Sequence, residues 1–210
     1  MRKQSGSIPV CEDGGQKMEH SARNINEENR FLQAKYDITA WFYDILDYPW
    51  ERQYRRWRPM LVEDVRNSVL EAGVGTGRNL KYYHPSVKLT DLDLSAAMLR
   101  KARKRGKSAV CDLNLYHEDA TIMGSIPSNH FDWLICTFMC CVMPDELQPL
   151  AIEQFERVLK PGARFRLLEY GARFDHDTLG HVEKSSKLKV NDTYFVKKDV
   201  YMVIEGVRVD

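Results

Sequence analysis

Three glycines at alternating positions stand where a short apolar run ends, in Val69-Leu70-Glu71-Ala72-Gly73-Val74-Gly75-Thr76-Gly77. A glycine has no Cβ, so a ligand can come close against its backbone, and the turn is a candidate cradle. A dinucleotide fingerprint needs glycines at its first, third and sixth positions. Here they hold the first, third and fifth, and Arg78 takes the sixth. The turn also lacks the Lys-Ser/Thr ending of a P-loop, so neither NAD nor a nucleoside triphosphate is expected. Asp93 ends the next apolar run about 20 residues after Gly73, where a carboxylate can accept from two ribose hydroxyls. Glu118-Asp119-Ala120 ends the run after that, and a carboxylate there can accept from an adenine amino group. Glu71, Asp93 and Asp119 therefore meet a ligand with carboxylates rather than lysines. That suits a molecule with a sulfonium, an ammonium and no phosphate.

Such residues need a scaffold that gathers strand ends. Strand-like runs at Ser68–Glu71, Lys88–Asp93, Leu115–Glu118, Phe131–Cys136 and Arg164–Glu169 alternate with helical ones at Arg78–Tyr83, Ser95–Arg105 and Asp145–Leu159. The alternation predicts right-handed βαβ units and a parallel sheet. Ser95 is a good N-cap and Gly106 a natural stop. Lys160-Pro161-Gly162 ends the later helix. Two final runs, Lys187–Phe195 and Val200–Val207, joined at Lys197-Lys198-Asp199, predict an antiparallel hairpin. The expected fold is α/β, a doubly wound, Rossmann-like, mostly parallel seven-stranded sheet closed by that hairpin. Ligands of such sheets lie at the carboxyl ends of the strands, where the strand order reverses.

The polar stretch 1–28 is expected to be a disordered leader. Residues 29–66 are expected to supply N-terminal helices that act as a lid or cap a sheet edge, and 67–210 to form the main domain. Leu32, Tyr36, Ile38, Trp41, Phe42, Ile45 and Leu46 cover one helical face, and Pro49 interrupts it. A second helical stretch, Trp50–Val65, interleaves Trp50, Tyr54 and Trp57 with Arg52, Arg55, Arg56 and Arg58. Trp and Arg mixed in this way suit transient membrane-surface contact from Trp50 to Arg58.

VLEAGVGTG, DLDLSAAML, EDA, FDWLIC and FERVLKPGARFRLLE occur in this order. Together they resemble the motifs of class I S-adenosylmethionine-dependent methyltransferases. The resemblance covers Lys35 to Glu169 well and the tail weakly. It is nearest to ubiquinone/menaquinone-type methyltransferases and small bacterial phospholipid N-methyltransferases, whose N-terminal signature is similar to Tyr36-Asp37 and Phe42-Tyr43-Asp44. It implies S-adenosylmethionine as cofactor, with Glu71, Gly73, Gly75 and Gly77 on its methionine part and Asp93 on the ribose. Leu94 and Met98 would lie against the adenine, Asp119 and Ala120 at its edge, and Cys136 or Thr137 beneath the cofactor. Tyr36 or Tyr43 would close over it. Val74 and Ala72 depart mildly from the usual residues.

The resemblance implies methyl transfer to a small-molecule or lipid acceptor. The alternative is a protein that binds the cofactor without turnover, in a regulatory role. Aminopropyl transfer is disfavoured, because no acidic polyamine-site motif follows Thr137. No general base stands out. Tyr170, Glu169, His176 and Cys140 are near the expected site, and none receives a catalytic role. With a net charge of +1 over 210 residues, the chain is not an expected nucleic-acid partner. The five cysteines lack zinc-site or disulfide-scaffold spacing, so no metal is expected and a reducing, cytoplasmic setting is. Cys140-Cys141 is read as packed or lining rather than as a nucleophile or metal site. Asp91 is read as solvated or capping, and the run Arg100 to Arg105 as a solvated helix face. No apolar run reaches the ~20 residues of a membrane span.

Overall fold

The computed structural model describes residues 27–40, 42, 51–52, 54–170, 177–197 and 200–210. Residues 27–40 form helix α1. Helix α2 (Arg58–Val62) and strand β1 (Ser68–Ala72) follow, then β2 (Lys88–Asp93), α3 (Ala96–Gly106), β3 (Asp112–His117) and β4 (Phe131–Thr137). The chain continues through α4 (Gln148–Val158), β5 (Leu159–Tyr170), α5 (Thr178–Glu183), β6 (Leu188–Lys197) and β7 (Tyr201–Arg208). The strands form one sheet in the order β3-β2-β1-β4-β5-β7-β6. The first five are parallel, and β7 runs antiparallel to both β5 and β6. The order reverses between β1 and β4, which is where such a sheet opens its crevice.

The central strands are apolar on both faces because helices cover both. Leu70, Ala72, Leu134 and Cys136 face a core built with α4, while Val69, Ile135 and Leu168 face one built with α2 and α3. Ser95 caps α3 by accepting the Met98 N–H, and Arg103, Lys104 and Arg105 occupy its last turn, where cations are favoured. Four apolar residues of α4 (Ala151, Ile152, Phe155 and Val158) are buried at helical spacing.

Several expected elements differ in detail. Residues 78–83 hold only a short 3₁₀ turn, Leu80–Tyr82. Asn79 is engaged by side chains of the sheet, and Pro85 disfavours helical geometry at His84. The helix expected over Trp50–Val65 is interrupted, since Pro59 sits in the first turn of a separate α2. Pro161-Gly162 lies inside β5 rather than before it. Leu159 already pairs with Phe131, the register then shifts, and Gly162 takes φ +77°. Asp91 is fully buried, not solvated or capping. The leader to residue 26, Trp41, Tyr43, Pro49, Trp50, His176, Lys198 and Asp199 lie outside the described residues. No helix among the described residues is long and apolar enough to cross a membrane.

Candidate functional site

The ends of β1, β2 and β4, with α1 above them, enclose a cavity of about 230 Å³. The glycine turn forms one wall. Gly73 and Val74 donate their N–H groups to the Leu92 carbonyl at 2.9 and 3.0 Å, which ties the turn to β2. Gly73, Gly75 and Gly77 all have positive φ, a region costly for other residues. Their surroundings differ. A Cβ on Gly73 would lie 2.8 Å from Met139, and one on Gly77 2.7 Å from Leu80 and 2.9 Å from the Ala102 backbone. A Cβ on Gly75 would meet nothing within 4 Å. Gly75 thus borders open space in the cavity, whereas Gly77 is absent from its lining and serves close packing of the turn on α3.

Asp93 uses its two oxygens on the turn and on the next helix. Oδ2 accepts from Gly75 N–H and Oδ1 from Ser95 N–H, both at 2.8 Å. Burial raises its pKa, opposed by those two N–H groups. An ionised carboxylate has about four acceptor positions, so two remain. Leu94, Met98 and Ala120 line the cavity beside it. Asp119 accepts from the Thr121 N–H and hydroxyl at 2.8 and 2.7 Å, and from the Asn29 amide of α1 at 2.6 Å.

Glu71 lies deeper. Its Oε1 accepts from Asn79 Nδ2 at 2.6 Å and its Oε2 from the Tyr83 hydroxyl at 2.9 Å. Burial pushes its pKa up to about 7, against those bonds and the charge of Arg58. Arg58 donates to Asn79 at 2.7 Å and pairs with Glu51 at 3.1 Å; Arg78 meets the same Glu51 oxygen at 2.6 Å.

Helix α1 roofs the cavity with Asn29, Leu32 and Tyr36. Asp37 fixes it at the start of α3 by accepting from the Ser95 hydroxyl at 2.6 Å and the Ala97 N–H at 3.1 Å. Ala40 packs on Ala97 and Met98. The remaining wall is aromatic. Tyr54, Phe138 and Tyr170 line it, with ring centroids 5.0 Å apart for Tyr54–Phe138 and 5.3 Å for Phe138–Tyr170.

The cavity therefore gathers Tyr36, Glu71, Gly73, Gly75, Asp93, Leu94, Met98, Asp119 and Ala120 of the expected residues. Cys136 is not in its wall. Side chains alternate along β4, so Cys136 points into the opposite core and Thr137 reaches the cavity. Tyr43 cannot be placed, as it lies outside the described residues. Glu169 and Cys140 are fully buried and absent from the lining. Sequence reading missed Asn29, Tyr54, Arg58 and Asn79. Periodicity points to none of them. The one signal that could have marked Asn79 as part of a turn is the His84-Pro85 pair, which disfavours a helix there.

The profile of a methyltransferase domain matches residues 69–162, from β1 into β5. Over this stretch the chain is similar to methyltransferase domains. Over 121 residues it is 32% identical to a phosphatidylethanolamine N-methyltransferase of Cereibacter sphaeroides, covering 56% of this chain and 57% of that one. It is 28% identical over 169 residues to a ubiquinone/menaquinone biosynthesis C-methyltransferase of Shewanella woodyi, covering 76% and 63%. The chain thus spans less than two thirds of the length of either relative. The N-methyltransferase NodS of Bradyrhizobium japonicum, solved with S-adenosyl-L-homocysteine, shares the fold at TM-score 0.61 and 15% identity, covering 76% of this chain and 87% of that one. The donor set fits S-adenosylmethionine: open space at Gly75, two remaining acceptor positions on Asp93, and carboxylates in place of phosphate-binding lysines.

Proposed function

We propose that the chain transfers a methyl group from S-adenosylmethionine to a small-molecule or lipid acceptor. The observation that carries this reading is the cavity at the strand-order reversal, carboxylate-lined on one side and aromatic on the other. In this reading Asp93 takes the ribose hydroxyls and Asp119 the adenine amino group, with Leu94, Met98 and Ala120 on the ring. Glu71 and the turn at Gly73 and Gly75 hold the methionine end. When bound, the cofactor supplies a methyl carbon already activated by its sulfonium, so the residues need only position it and exclude water. Tyr54, Phe138 and Tyr170 would face the acceptor, which favours one with an apolar or aromatic body. Residues 67–210 form the methyltransferase domain, and α1 is a lid that orders on binding. Its bonds to Asp119 in the cavity wall and to Ser95 at the start of α3 support that role.

A cytoplasmic setting accords with the free thiols of Cys111, Cys136, Cys140 and Cys141. Contact with anionic lipid would use Arg52, Arg55 and Arg56, which are exposed; Arg58 is buried and paired. The test is calorimetry with S-adenosylmethionine and NAD, followed by transfer of labelled methyl to panels of phospholipids, quinols and amines. Binding of the first ligand alone, with turnover, is the expected result. Binding without turnover on any panel leaves a cofactor-binding protein, and no binding ends the reading.

A further inference from the structure

Glu169, at the end of β5, is fully buried. Four groups donate to it: the backbone N–H groups of Cys140 and Cys141 at 3.2 and 3.0 Å, the Cys136 thiol at 3.6 Å, and the Cys141 thiol. None is positively charged, and among the described residues no basic side chain pairs with this carboxylate. A carboxylate without a cation is costly in such a place. Cys136 and Cys140 are fully buried too, with their sulfurs 4.0 Å apart. One ligand atom from each of Cys136, Cys140 and Glu169 lies within 4.8 Å of the others.

We propose that Cys136, Cys140 and Glu169 bind a divalent ion of the zinc class. Tetrahedral zinc with thiolate bonds near 2.3 Å and a carboxylate bond near 2.1 Å would set its sulfurs about 3.8 Å apart and sulfur from oxygen about 3.6 Å. The protein holds the two sulfurs 4.0 Å apart and the Cys136 sulfur 3.6 Å from Glu169, with the Cys140 sulfur within 4.8 Å of that carboxylate, so the Cys140 side is the one that closes on the ion. On loading, both thiols lose their protons to solvent, two sulfur–metal bonds and one oxygen–metal bond form, and no sulfur changes oxidation state. The net charge remains −1, that of an ionised carboxylate beside two neutral thiols. A water completes the fourth position. The site is closed to solvent, so the ion enters as the chain folds.

This site stands apart from the chemistry proposed above. Cys140 opens the 3₁₀ turn Cys140–Val142, and Met139, Val142 and Met143 around it line the cavity. The ion would pin that wall without touching a ligand.

The test expresses the full-length chain, free of any tag, in medium supplemented with zinc or with cobalt, and purifies it without chelator. One ion per chain by elemental analysis is expected, with thiolate-to-cobalt charge-transfer absorption in the cobalt form. Cys136→Ser and Cys140→Ser should each lower occupancy about tenfold or more, and Cys141→Ser should keep it. Because a serine variant can fail to fold, X-ray absorption on the wild-type zinc form supplies an independent readout: two sulfur neighbours with oxygen. Metal-free protein with all thiols free overturns the site. So does a mass short by two hydrogens, which marks a disulfide, or a bound ion without sulfur neighbours.

Discussion

Replacing Asp91 by asparagine should change stability by an amount that depends on pH. Asp91 is fully buried in β2, opposite Glu71 of β1, and neither of its oxygens has a hydrogen-bond partner among the described residues. Burial, then the charges of Glu71 and Asp93, hold its carboxyl well above the usual carboxylate range. The native chain keeps the proton, while the unfolded chain releases it near the ordinary value of 3.8. The native state therefore binds more protons, and stability falls as pH rises. Each pH unit above the unfolded value removes about 1.4 kcal/mol while the native carboxyl stays protonated. Between about pH 5 and about pH 7 that amounts to roughly 2.7 kcal/mol, which an amide would not lose. The unmet N–H of the amide offsets about 1–3 kcal/mol at every pH, so the slope of the difference is diagnostic rather than its size. Urea unfolding followed by circular dichroism at several pH values measures it. If the gap between variant and wild type is flat across this range, Asp91 is ionised in the native protein and the reasoning fails.

Asp93→Ala should weaken S-adenosylmethionine binding about tenfold or more, from loss of ~1.5–3 kcal/mol of charge-assisted hydrogen bonding, read by calorimetry. Unchanged affinity removes Asp93 from the site. Gly77→Ala must find room for a Cβ 2.7 Å from Leu80 and 2.9 Å from Ala102 at φ +80°, so a loss of roughly 2 kcal/mol or more is expected in thermal unfolding. A melting point within error of wild type would contradict this packing. Co-sedimentation should favour anionic over neutral vesicles, with the three exposed arginines contributing about 1 kcal/mol each. Equal pelleting with both would leave the segment a packing role alone. Hydrogen exchange over residues 27–40 should slow when cofactor is added; equal protection in both states makes α1 a fixed cap.

Fold and site were legible to different degrees. The parallel strands could be read because β1 and β2 are short apolar runs ended by Gly or Asp, and those endings also marked the cavity. Boundaries were lost where a single residue overrides a pattern. Pro59 begins α2 in the middle of an apolar helical rhythm, and Gly162 takes a left-handed turn without leaving β5. Glu71 was assigned to a ligand from its place in the turn, yet its strongest contacts are Asn79 and Tyr83, which come from a turn whose path no local spacing encodes. Asp91 misled for the opposite reason. An aspartate beside other acidic residues reads as solvated, and only the covering of both sheet faces makes it internal. Asn29 could not be found at all, because its partner Asp119 lies 90 residues away.

Asp119 has a consequence for which molecules the roof can tolerate. An ionised carboxylate offers about four lone-pair sites, and Thr121 and Asn29 already occupy three of them. One vacancy remains. A guest that presents a single N–H at this edge can be accommodated with α1 still docked. A guest that presents two must evict the Asn29 amide and loosen the helix above it. The carboxylate thus counts donors, and it would turn the hydrogen-bonding valence of whatever enters into an open or a closed roof.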